Sequence, residues 1–336
     1  MIRIWLNHWF STAYSIINLI KEDEKEFYVI GSSDNVNSVV KCACDEWYQE
    51  PDLKGEEYVQ YCVKFCKEHK IDIFMPRKGM LEISENIHLF HEIGTKVMVD
   101  AYEKISLLNH KDQAYELFKE KKIGIVPDYE IVTTPAEFSF AYEKLSGKYE
   151  QICFKFVHDE GGRSFRIIDN HTKGHDDLFK IHRTRMTFDE VMKVLEEREK
   201  FEPVMLMPYL PGDEVSVDCL KTMHGVIMLP RIKDVTRIER IKFDDRILAM
   251  CEDFYNKVGL EYPCNIQFKY LDEIPYFLEV NTRMSGGVQM SCLAAGVNIP
   301  NLAVNKILGT EKEWQMDKTE KFVSYVETPI IVSKRC

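Results

Sequence analysis

Polar side chains interrupt an apolar run near the C-terminal end of the chain. The segment FLEVNTRMSGG, residues 277–287, has the composition of a buried strand, yet it carries Glu279 and Asn281. Side chains of an extended segment alternate between two faces, so these two share one face. Arg283 and two glycines follow. A strand that only fills a core has no use for a carboxylate, an amide and a guanidinium so close together. The segment therefore indicates a functional site on a sheet.

The strand before it, CNIQFKY, predicts a hairpin partner. A turn that pairs Leu271 with Pro275 places Gln267 opposite Glu279, whereas a shift by one residue turns one polar set to the other face. The oxygen atoms of Gln267, Glu279 and Asn281 are ligands of the kind that Mg²⁺ prefers, with water and phosphate completing the shell. A solvated sheet face is the alternative interpretation of this motif taken alone.

Composition narrows the class of protein. The 336 residues are too many for one ordinary core and predict two or three compact units. The net charge is −11, from 44 basic and 55 acidic residues, which argues against a protein that coats nucleic acid or anionic membrane. No run approaches the roughly 18 apolar residues of a membrane span. We therefore expect a cytoplasmic globular protein without a nucleic-acid or membrane partner.

The ten cysteines lie among hydrophobic residues. Cys42 and Cys44 form a C-x-C pair, and Cys62 and Cys66 fall at helical i,i+4 spacing. A zinc site needs a second pair of ligands at a matching spacing, and the sequence has none. The pattern favours reduced, buried thiols of a cytosolic protein.

Residues 1–100 alternate strand-like and helix-like segments. MIRIWL, EFYVIGSSD, IDIFMP and KVMVD are strand-like, and Ser11 or Thr12 is a capping candidate for the first helix between them. Such alternation predicts a parallel sheet with helices on both faces. No G-x-G-x-x-G follows the first strand, so a dinucleotide site is not expected there. Arg77, after IDIFMP, is a candidate substrate contact, although a surface arginine is the simpler interpretation.

From about residue 101 helices and strands follow in a less regular order. TFDEVMKVLEEREKF predicts a helix with Thr187 as its cap and Glu190 three residues on, the pattern of a capping box. YEIV, ICFKFV, PVMLMPYL, EVSVDCLK and GVIMLPRIK are strand-like. No repeat or low-complexity linker marks the boundary near residue 100.

A lysine and a glycine pair form the first candidate nucleotide site. Lys155 lies on the largely apolar strand ICFKFV and shares a face with Cys153 and Val157. A lysine in such a setting needs an anion. Gly161 and Gly162 follow in a hairpin tip that can close over phosphates through its backbone N–H groups. A plain hairpin turn is the simpler interpretation of the glycines by themselves.

The segment MLMPYLPGDE supplies a second candidate. Backbone groups from Met207 through Tyr209 to Leu210 can pair with the edge of an adenine. Glu214 can accept hydrogen bonds from ribose hydroxyls. An exposed loop is the alternative interpretation.

Basic residues near the carboxylate strand form a third candidate. Arg283, beside a metal, can stabilise negative charge that develops on a phosphoryl or carbonyl oxygen. Arg231 and Lys233 share one face of the strand LPRIK, where they can contact a phosphate or carboxylate. A solvated basic edge is equally compatible with that pattern.

These segments, in this order, resemble the ATP-grasp superfamily, and within it the proteins similar to the large subunit of carbamoyl phosphate synthetase. The resemblance runs from about Leu107 to Gly309 and rests on short motifs. They are Lys111 in NHKDQA, Lys155 on its strand, the lid glycines Gly161 and Gly162, the hinge from Leu210 to Glu214, and Gln267 with E-x-N-x-R-x-S-G-G. No single motif is specific to the superfamily, but the full set of motifs in the correct order is.

Some positions depart from the family pattern. Pro208 stands where Glu is frequent, which weakens a side-chain contact with adenine and leaves the backbone contacts. Thr282 stands where Pro is frequent, and Ser164 where the lid often has another glycine, which implies a less mobile lid.

The resemblance implies an α/β chain, α+β in its C-terminal part, with an ATP-grasp fold behind a Rossmann-like pre-ATP-grasp domain. The first domain would cover residues 1–100 and the ATP-grasp domain residues 101–336, with a lid subdomain at about 129–207. It also implies two Mg²⁺ ions bridged by Glu279, for which Mn²⁺ can substitute.

The resemblance also implies roles for individual residues. The implied ATP contacts are Lys111, Lys155, Gly161, Gly162, Met207, Tyr209, Leu210, Glu214, Phe268 and Leu278. The implied metal ligands are Gln267, Glu279 and Asn281. The implied catalytic residues are Arg283, Arg231 and Lys233.

The implied activity is that of an ATP-dependent ligase. A carboxylate attacks the γ-phosphate of ATP, and an amine or ammonia then displaces phosphate from the acyl phosphate, so the partners are small carboxylates and amines. Two other activities stay open: a nucleotide-binding regulatory protein without turnover and a kinase-like ATP-grasp phosphotransferase. The sequence does not specify the oligomeric state, and a homodimer is compatible with it.

Overall fold

The computed structural model describes residues 1–23, 25–157, 164–171, 184–234 and 236–332. The strands are β1 Ile2–Asn7, β2 Phe27–Ser33, β3 Glu46–Gln49, β4 Ile73–Met75, β5 Lys96–Val97, β6 Glu130–Val132, β7 Ile152–Phe156, β8 Arg166–Ile168, β9 Arg185–Met186, β10 Val204–Pro208, β11 Glu214–Thr222, β12 Gly225–Lys233, β13 Ile238–Ile241, β14 Cys264–Leu271, β15 Ile274–Asn281 and β16 Lys321–Ser324. The α-helices are α1 Ala13–Lys21, α2 Gly55–Glu68, α3 Met80–Glu85, α4 Ile87–Glu92, α5 Tyr102–Asn109, α6 Lys111–Glu120, α7 Pro135–Ser146, α8 Phe188–Leu195, α9 Asp245–Val258, α10 Val288–Ala295 and α11 Ile299–Leu308.

A parallel sheet forms the N-terminal part of the chain, as the alternation of segments predicts. Its strand order is β3-β2-β1-β4-β5, and each neighbouring pair is parallel. Both faces are covered because both sets of alternating side chains are apolar. On one face Trp5 stacks on Phe65 and Phe74, with ring centroids 4.3 and 4.1 Å apart. On the other, Ile4 and Leu6 pack in a cluster that includes residues of α1.

Helix α1 starts beside the predicted cap without using its hydroxyl. Thr12 occupies the N-cap position, but its side chain makes no capping hydrogen bond. Its φ and ψ angles of −67° and −10° are helical rather than extended, so the hydroxyl does not face the first backbone N–H groups. Helix α1 is stabilised instead by its apolar stripe, in which Ala13, Ile16, Ile17 and Ile20 are buried.

A six-stranded sheet in the order β15-β14-β11-β12-β13-β16 forms the C-terminal part. β11 and β12 make a long hairpin in which Glu214 pairs with Lys233, and Ser216 pairs with Arg231. β13 and β16 pair at one end of the sheet. These two strands are not predicted by the sequence, because each has only four residues and no clear alternation of apolar and polar side chains.

The hairpin of β14 and β15 turns one residue earlier than the predicted register requires. β14 ends at Leu271 and β15 begins at Ile274. The two residues between them have positive φ angles, 49° and 63°, as a type I′ turn demands. Such a turn places Leu271 across from Ile274 rather than Pro275. The pairing at the turn therefore differs by one residue from the predicted one, and the pairing of Gln267 with Glu279 further along stays a prediction.

A second five-stranded sheet, β6-β10-β7-β8-β9, forms the middle part of the chain. The predicted capping box of α8 is confirmed: Thr187 Oγ1 accepts a hydrogen bond from the N–H of Glu190, and the Glu190 carboxylate accepts one from the N–H of Thr187. Helix α7 is not among the predicted helices, although Thr134 and Glu137 form the same motif at its start.

Packing divides the chain into two compact units. The first comprises Met1–Asn109, Asp213–Phe268 and Leu278–Cys336, and the second comprises His110–Gly212 and Lys269–Phe277. The predicted domain boundary near residue 100 stays a prediction. Within the described part of the chain, no helix is long and apolar enough to cross a membrane.

Candidate active site

Strand β15 ends in a row of polar side chains in the first unit. Nδ2 of Asn281 donates a hydrogen bond to Oε1 of Glu279 at 3.1 Å, and Oδ1 of Asn281 accepts one from Nη2 of Arg283 at 3.5 Å. A carboxylate only accepts and a guanidinium only donates, so both ends of the Asn281 amide are assigned. The carboxylate, amide and guanidinium therefore lie side by side, and all three residues are partly exposed.

Gln267 lies on the neighbouring strand β14. Its Nε2 donates a hydrogen bond to Oδ1 of Asn265 at 3.1 Å, and Asn265 has no exposed surface. Nδ2 of Asn265 in turn donates to Oδ1 of Asp218 at 2.9 Å. The amide nitrogen of Gln267 is thus tied to the protein. Its carbonyl oxygen has no hydrogen-bond partner among the described residues.

The oxygen atoms of Gln267, Glu279 and Asn281 suit Mg²⁺ chemically. One carboxylate with two amide carbonyls is a hard-oxygen donor set of low charge, appropriate where phosphates supply the remaining ligands. Across the ranges that the structure describes, no group of three or more His, Cys, Asp and Glu residues could hold a metal. The donor set therefore fits a phosphate-bound Mg²⁺ and not a closed protein cage.

Arg231 lies on β12 and is only 3% exposed. It forms an ion pair with Glu239 and lies 3.9 Å from a carboxylate oxygen of Asp218. Its Nε donates to Oγ of Ser291 and its Nη2 to Oγ of Ser285, each at 3.3 Å. Burial opposes the charge, but the two carboxylates hold the pKa of Arg231 above its ordinary value. Arg231 is one of the predicted catalytic residues, but it has almost no surface on which to meet a substrate.

Glu214 and Lys233 pair with each other. Nζ of Lys233 lies 2.6 Å from Oε1 of Glu214, with about a third of each side chain exposed. They stand opposite each other on β11 and β12, next to the Ser216–Arg231 pair. Glu214 is the candidate ribose contact and Lys233 is a candidate catalytic residue. The two side chains therefore neutralise each other's charge before any ligand binds.

Lys155 lies on β7 in the second unit and is 8% exposed. It shares a face of β7 with Cys153, whose thiol is buried. Burial raises the pKa of Cys153 to about 12, and Lys155 and Lys269 only partly oppose that rise.

The predicted adenine hinge follows β10 in the same unit. Met207 and Leu210 are buried, and Tyr209 is half-buried. The backbone N–H of Tyr209 donates to the carbonyl of Gln151 at 2.8 Å. The N–H of Tyr209 is therefore already used within the protein.

The remaining candidates fall in different settings. Lys111 is the first residue of α6. Phe268 has no exposed surface, whereas Leu278 is partly exposed and has surface for a ligand. Gly161 and Gly162 lie outside the described residues.

Two features of the site are not predicted from the sequence. The ring of Phe10 lies 5.3 Å from Cζ of Arg283. This is a cation–π contact that no local sequence pattern predicts. The position of Asp218 could be predicted in part, because the alternation E-V-S-V-D on β11 places Glu214, Ser216 and Asp218 on one face.

Comparison with known proteins identifies the fold. Residues 200–329 match a family model described as ATP-grasp in the biosynthetic pathway with Ter operon. N5-carboxyaminoimidazole synthetase from Staphylococcus aureus, solved with ADP, matches 94% of this chain and 79% of its own with a TM-score of 0.69 at 13% identity. The chain has the ATP-grasp fold. The biotin carboxylase domain of Hydrogenobacter thermophilus 2-oxoglutarate carboxylase, solved with MgADP, ADP and bicarbonate, matches 93% of this chain and 71% of its own, with a TM-score of 0.66 at 17% identity.

The predicted ATP-grasp fold and the resemblance to carbamoyl phosphate synthetase are confirmed. The arginine-specific large chain of carbamoyl phosphate synthase from Geobacillus stearothermophilus is 22% identical over 323 residues. The alignment covers 89% of this chain and 28% of that protein. This ATP-grasp chain thus spans little more than a quarter of the length of that relative.

Proposed function

We propose that the protein is an ATP-dependent ligase that joins a small carboxylate to an amine or ammonia through an acyl phosphate. The observation that carries the proposal is the hydrogen-bonded row of Glu279, Asn281 and Arg283 on β15, with Gln267 on the adjacent strand. Activation of a carboxylate by ATP brings two anions together. It therefore needs a cation-binding group directly beside a fixed positive charge.

Gln267, Glu279 and Asn281 would hold Mg²⁺, which supplies charge neutralisation of the phosphates when bound. The site would hold two ions that share Glu279, and Mn²⁺ would serve in place of Mg²⁺. Lys111 and Lys155 hold the α- and β-phosphates, Glu214 accepts from the ribose hydroxyls, and Met207 and Leu210 meet the adenine edge.

The reaction has two displacement steps. An oxygen of the carboxylate attacks the γ-phosphorus, the bond to the bridging oxygen of the β-phosphate breaks, and ADP leaves. The amine nitrogen then attacks the acyl carbon, the carbon–oxygen bond to the phosphoryl group breaks, and inorganic phosphate leaves while the nitrogen loses a proton to solvent. Arg283 faces the oxygens on which charge develops, and Lys233 assists from the ion pair with Glu214.

Two features of the similar proteins suggest which substrates to test first. One solved neighbour contains bicarbonate, and a curated relative is named for carbamoyl phosphate synthesis. Bicarbonate and ammonia therefore head the list of pairs to test, followed by small organic carboxylates with primary amines.

The test is a screen for ADP release with ATP and Mg²⁺ across carboxylate and amine pairs. Glu279→Gln should lower turnover by about 10²–10³-fold while the chain stays folded, because the amide keeps the shape and loses the charge. Glu273→Gln, at the exposed turn of the same hairpin, is the matched control and should turn over normally. Unchanged turnover in Glu279→Gln would remove the metal assignment.

The same screen separates the other activities. A kinase-like enzyme would leave phosphate on its product instead of releasing it freely. A regulatory protein would bind ATP tightly and release no ADP with any acceptor.

A further inference from the structure

The buried pair Asp218 and Asn265 determines which end of the Gln267 amide faces outward. We propose that these two residues form an amide relay that presents the carbonyl oxygen of Gln267 to a divalent cation. The inference rests on the proposed metal site and deepens it. Neither residue touches the cation, and both are positioning residues for Gln267.

The direction of the relay follows from the chemistry of its first member. Asp218 accepts hydrogen bonds when ionised, so the Asn265 atom 2.9 Å from its Oδ1 must be the amide nitrogen. Oδ1 of Asn265 then points the other way and meets the Nε2 group of Gln267 at 3.1 Å. Ser216 Oγ lies 2.9 Å from one end of the Asn265 amide and 3.1 Å from the other. A hydroxyl both donates and accepts, so Ser216 does not determine the orientation.

The surroundings of Asp218 keep it in place as an acceptor. Asp218 is 1% exposed, and its Oδ2 accepts a hydrogen bond from Oγ of Ser291 at 2.7 Å. Nη2 of Arg231 lies 3.9 Å from the same oxygen. The buried charge is therefore paired, and the relay begins from a group that cannot reorient without breaking these contacts.

The arrangement matters because an amide is a two-sided ligand. If Gln267 turned over, it would present an NH₂ group, which repels a cation, where an oxygen is needed. A buried relay removes that alternative before the metal arrives. Groups that orient metal ligands in this way typically change metal affinity by about 10–100-fold when they are altered.

The test exchanges the two buried residues. Asn265→Asp places a second carboxylate next to Asp218, and Asp218→Asn leaves the direction of the relay undetermined. Each single variant should weaken Mg²⁺-dependent ATP binding, measured by calorimetry with Mg²⁺ titrated at fixed ATP, by about 10-fold or more. The double variant Asp218→Asn/Asn265→Asp keeps one carboxylate and one amide and restores the direction. The amide introduced at position 218 then donates to the carboxylate introduced at position 265, which accepts from Gln267. The double variant should bind within about threefold of the wild type.

Val217→Ala is the matched control. It removes buried apolar atoms from the face of β11 opposite Ser216 and Asp218, so it should lower stability and leave Mg²⁺ affinity unchanged. If the double variant stays as weak as the singles, or if Val217→Ala weakens Mg²⁺ binding equally, then the network is merely structural and the relay is overturned.

A second readout needs neither turnover nor metal. In metal-free protein labelled with [¹⁵N]glutamine, the side-chain NH₂ signal of Gln267, assigned by its loss in Gln267→Glu, should show slowed hydrogen exchange. The slowing should disappear in Asp218→Asn and return in the double variant. A fast-exchanging wild-type signal would overturn the relay alone. Wild-type protein that binds no Mg²⁺ with ATP would overturn the proposed metal site as well.

Discussion

The guanidinium of Arg231 occupies the space where a side chain on Gly287 would stand. A Cβ added to Gly287 would overlap Cζ and Nη2 of Arg231. The guanidinium cannot move aside easily, because it is ion-paired with Glu239 and hydrogen-bonded to buried hydroxyls. We expect Gly287→Ala to lower the free energy of unfolding by about 1–3 kcal/mol through overpacking, as measured by urea denaturation.

Gly286 provides the control for that substitution. A Cβ at Gly286 would meet its nearest neighbour, Oγ1 of Thr12, at 3.5 Å, which is ordinary contact. Gly286→Ala should therefore leave stability nearly unchanged. Equal stabilities for the two variants would show that Arg231 is free to shift, contrary to the contacts described.

The ion pair between Glu214 and Lys233 leads to a prediction about nucleotide selection. If Glu214 accepts from the ribose, Glu214→Gln weakens that hydrogen bond by removing its charge. The KM for ATP should rise about tenfold, and the preference for ATP over 2′-deoxy-ATP and 3′-deoxy-ATP should narrow. Steady-state ADP release with the three nucleotides checks this. An unchanged preference across them would exclude the ribose contact.

Side-chain alternation revealed much of the candidate site from the sequence. The direction of a side chain on a strand depends only on local geometry, so Glu279, Asn281 and Gln267 could be selected by pattern. The hairpin register could not be predicted in this way. It depends on Asp272 and Glu273, which adopt positive φ angles although neither is the glycine or asparagine that usually marks such a turn.

The surroundings of Arg231 show a second limit of prediction from the sequence. Its partners Asp218, Glu239, Ser285 and Ser291 come from separate segments. The sequence shows a basic residue on a strand, and only the folded chain shows that carboxylates and hydroxyls surround it. Burial of a charge is decided by such long-range packing, which is why a catalytic candidate chosen by residue type turned out to be enclosed.

Asp23 makes the stability of the first unit sensitive to acid. It joins the end of α1 to α11: Oδ2 accepts from Nδ2 of Asn305 at 2.9 Å and lies 3.0 Å from Nζ of Lys312. Burial acts to raise the pKa of Asp23, but hydrogen bonds from Asn305, from the backbone of Lys25 and from Lys312 outweigh it and hold that pKa well below its ordinary value.

A depressed pKa contributes stability above the unfolded pKa of about 4, and the contribution is lost as the pH falls through the folded pKa. The free energy of unfolding should therefore fall more steeply below pH 4 in the wild type than in Asp23→Asn.

Urea denaturation at a series of pH values between 7 and 2.5 measures this difference. Asp52→Asn, at an exposed carboxylate, serves as the control and should follow the wild-type curve. Parallel curves for the wild type and Asp23→Asn would mean that the Asp23 contacts do not persist in solution.

Lys155 allows a test of nucleotide binding in the second unit. It is 8% exposed on a strand of apolar residues, so methionine, with a similar length and no charge, should fill its place without a cavity. Loss of a charged hydrogen bond to phosphate costs about 1.5–3 kcal/mol, so Lys155→Met should bind MgATP about 10–100-fold more weakly in a calorimetric titration. Lys148→Met removes an exposed lysine of the same unit that pairs with Asp128 and should bind as the wild type does. Folded Lys155→Met protein with wild-type affinity would mean that Lys155 is a core lysine that contacts no phosphate.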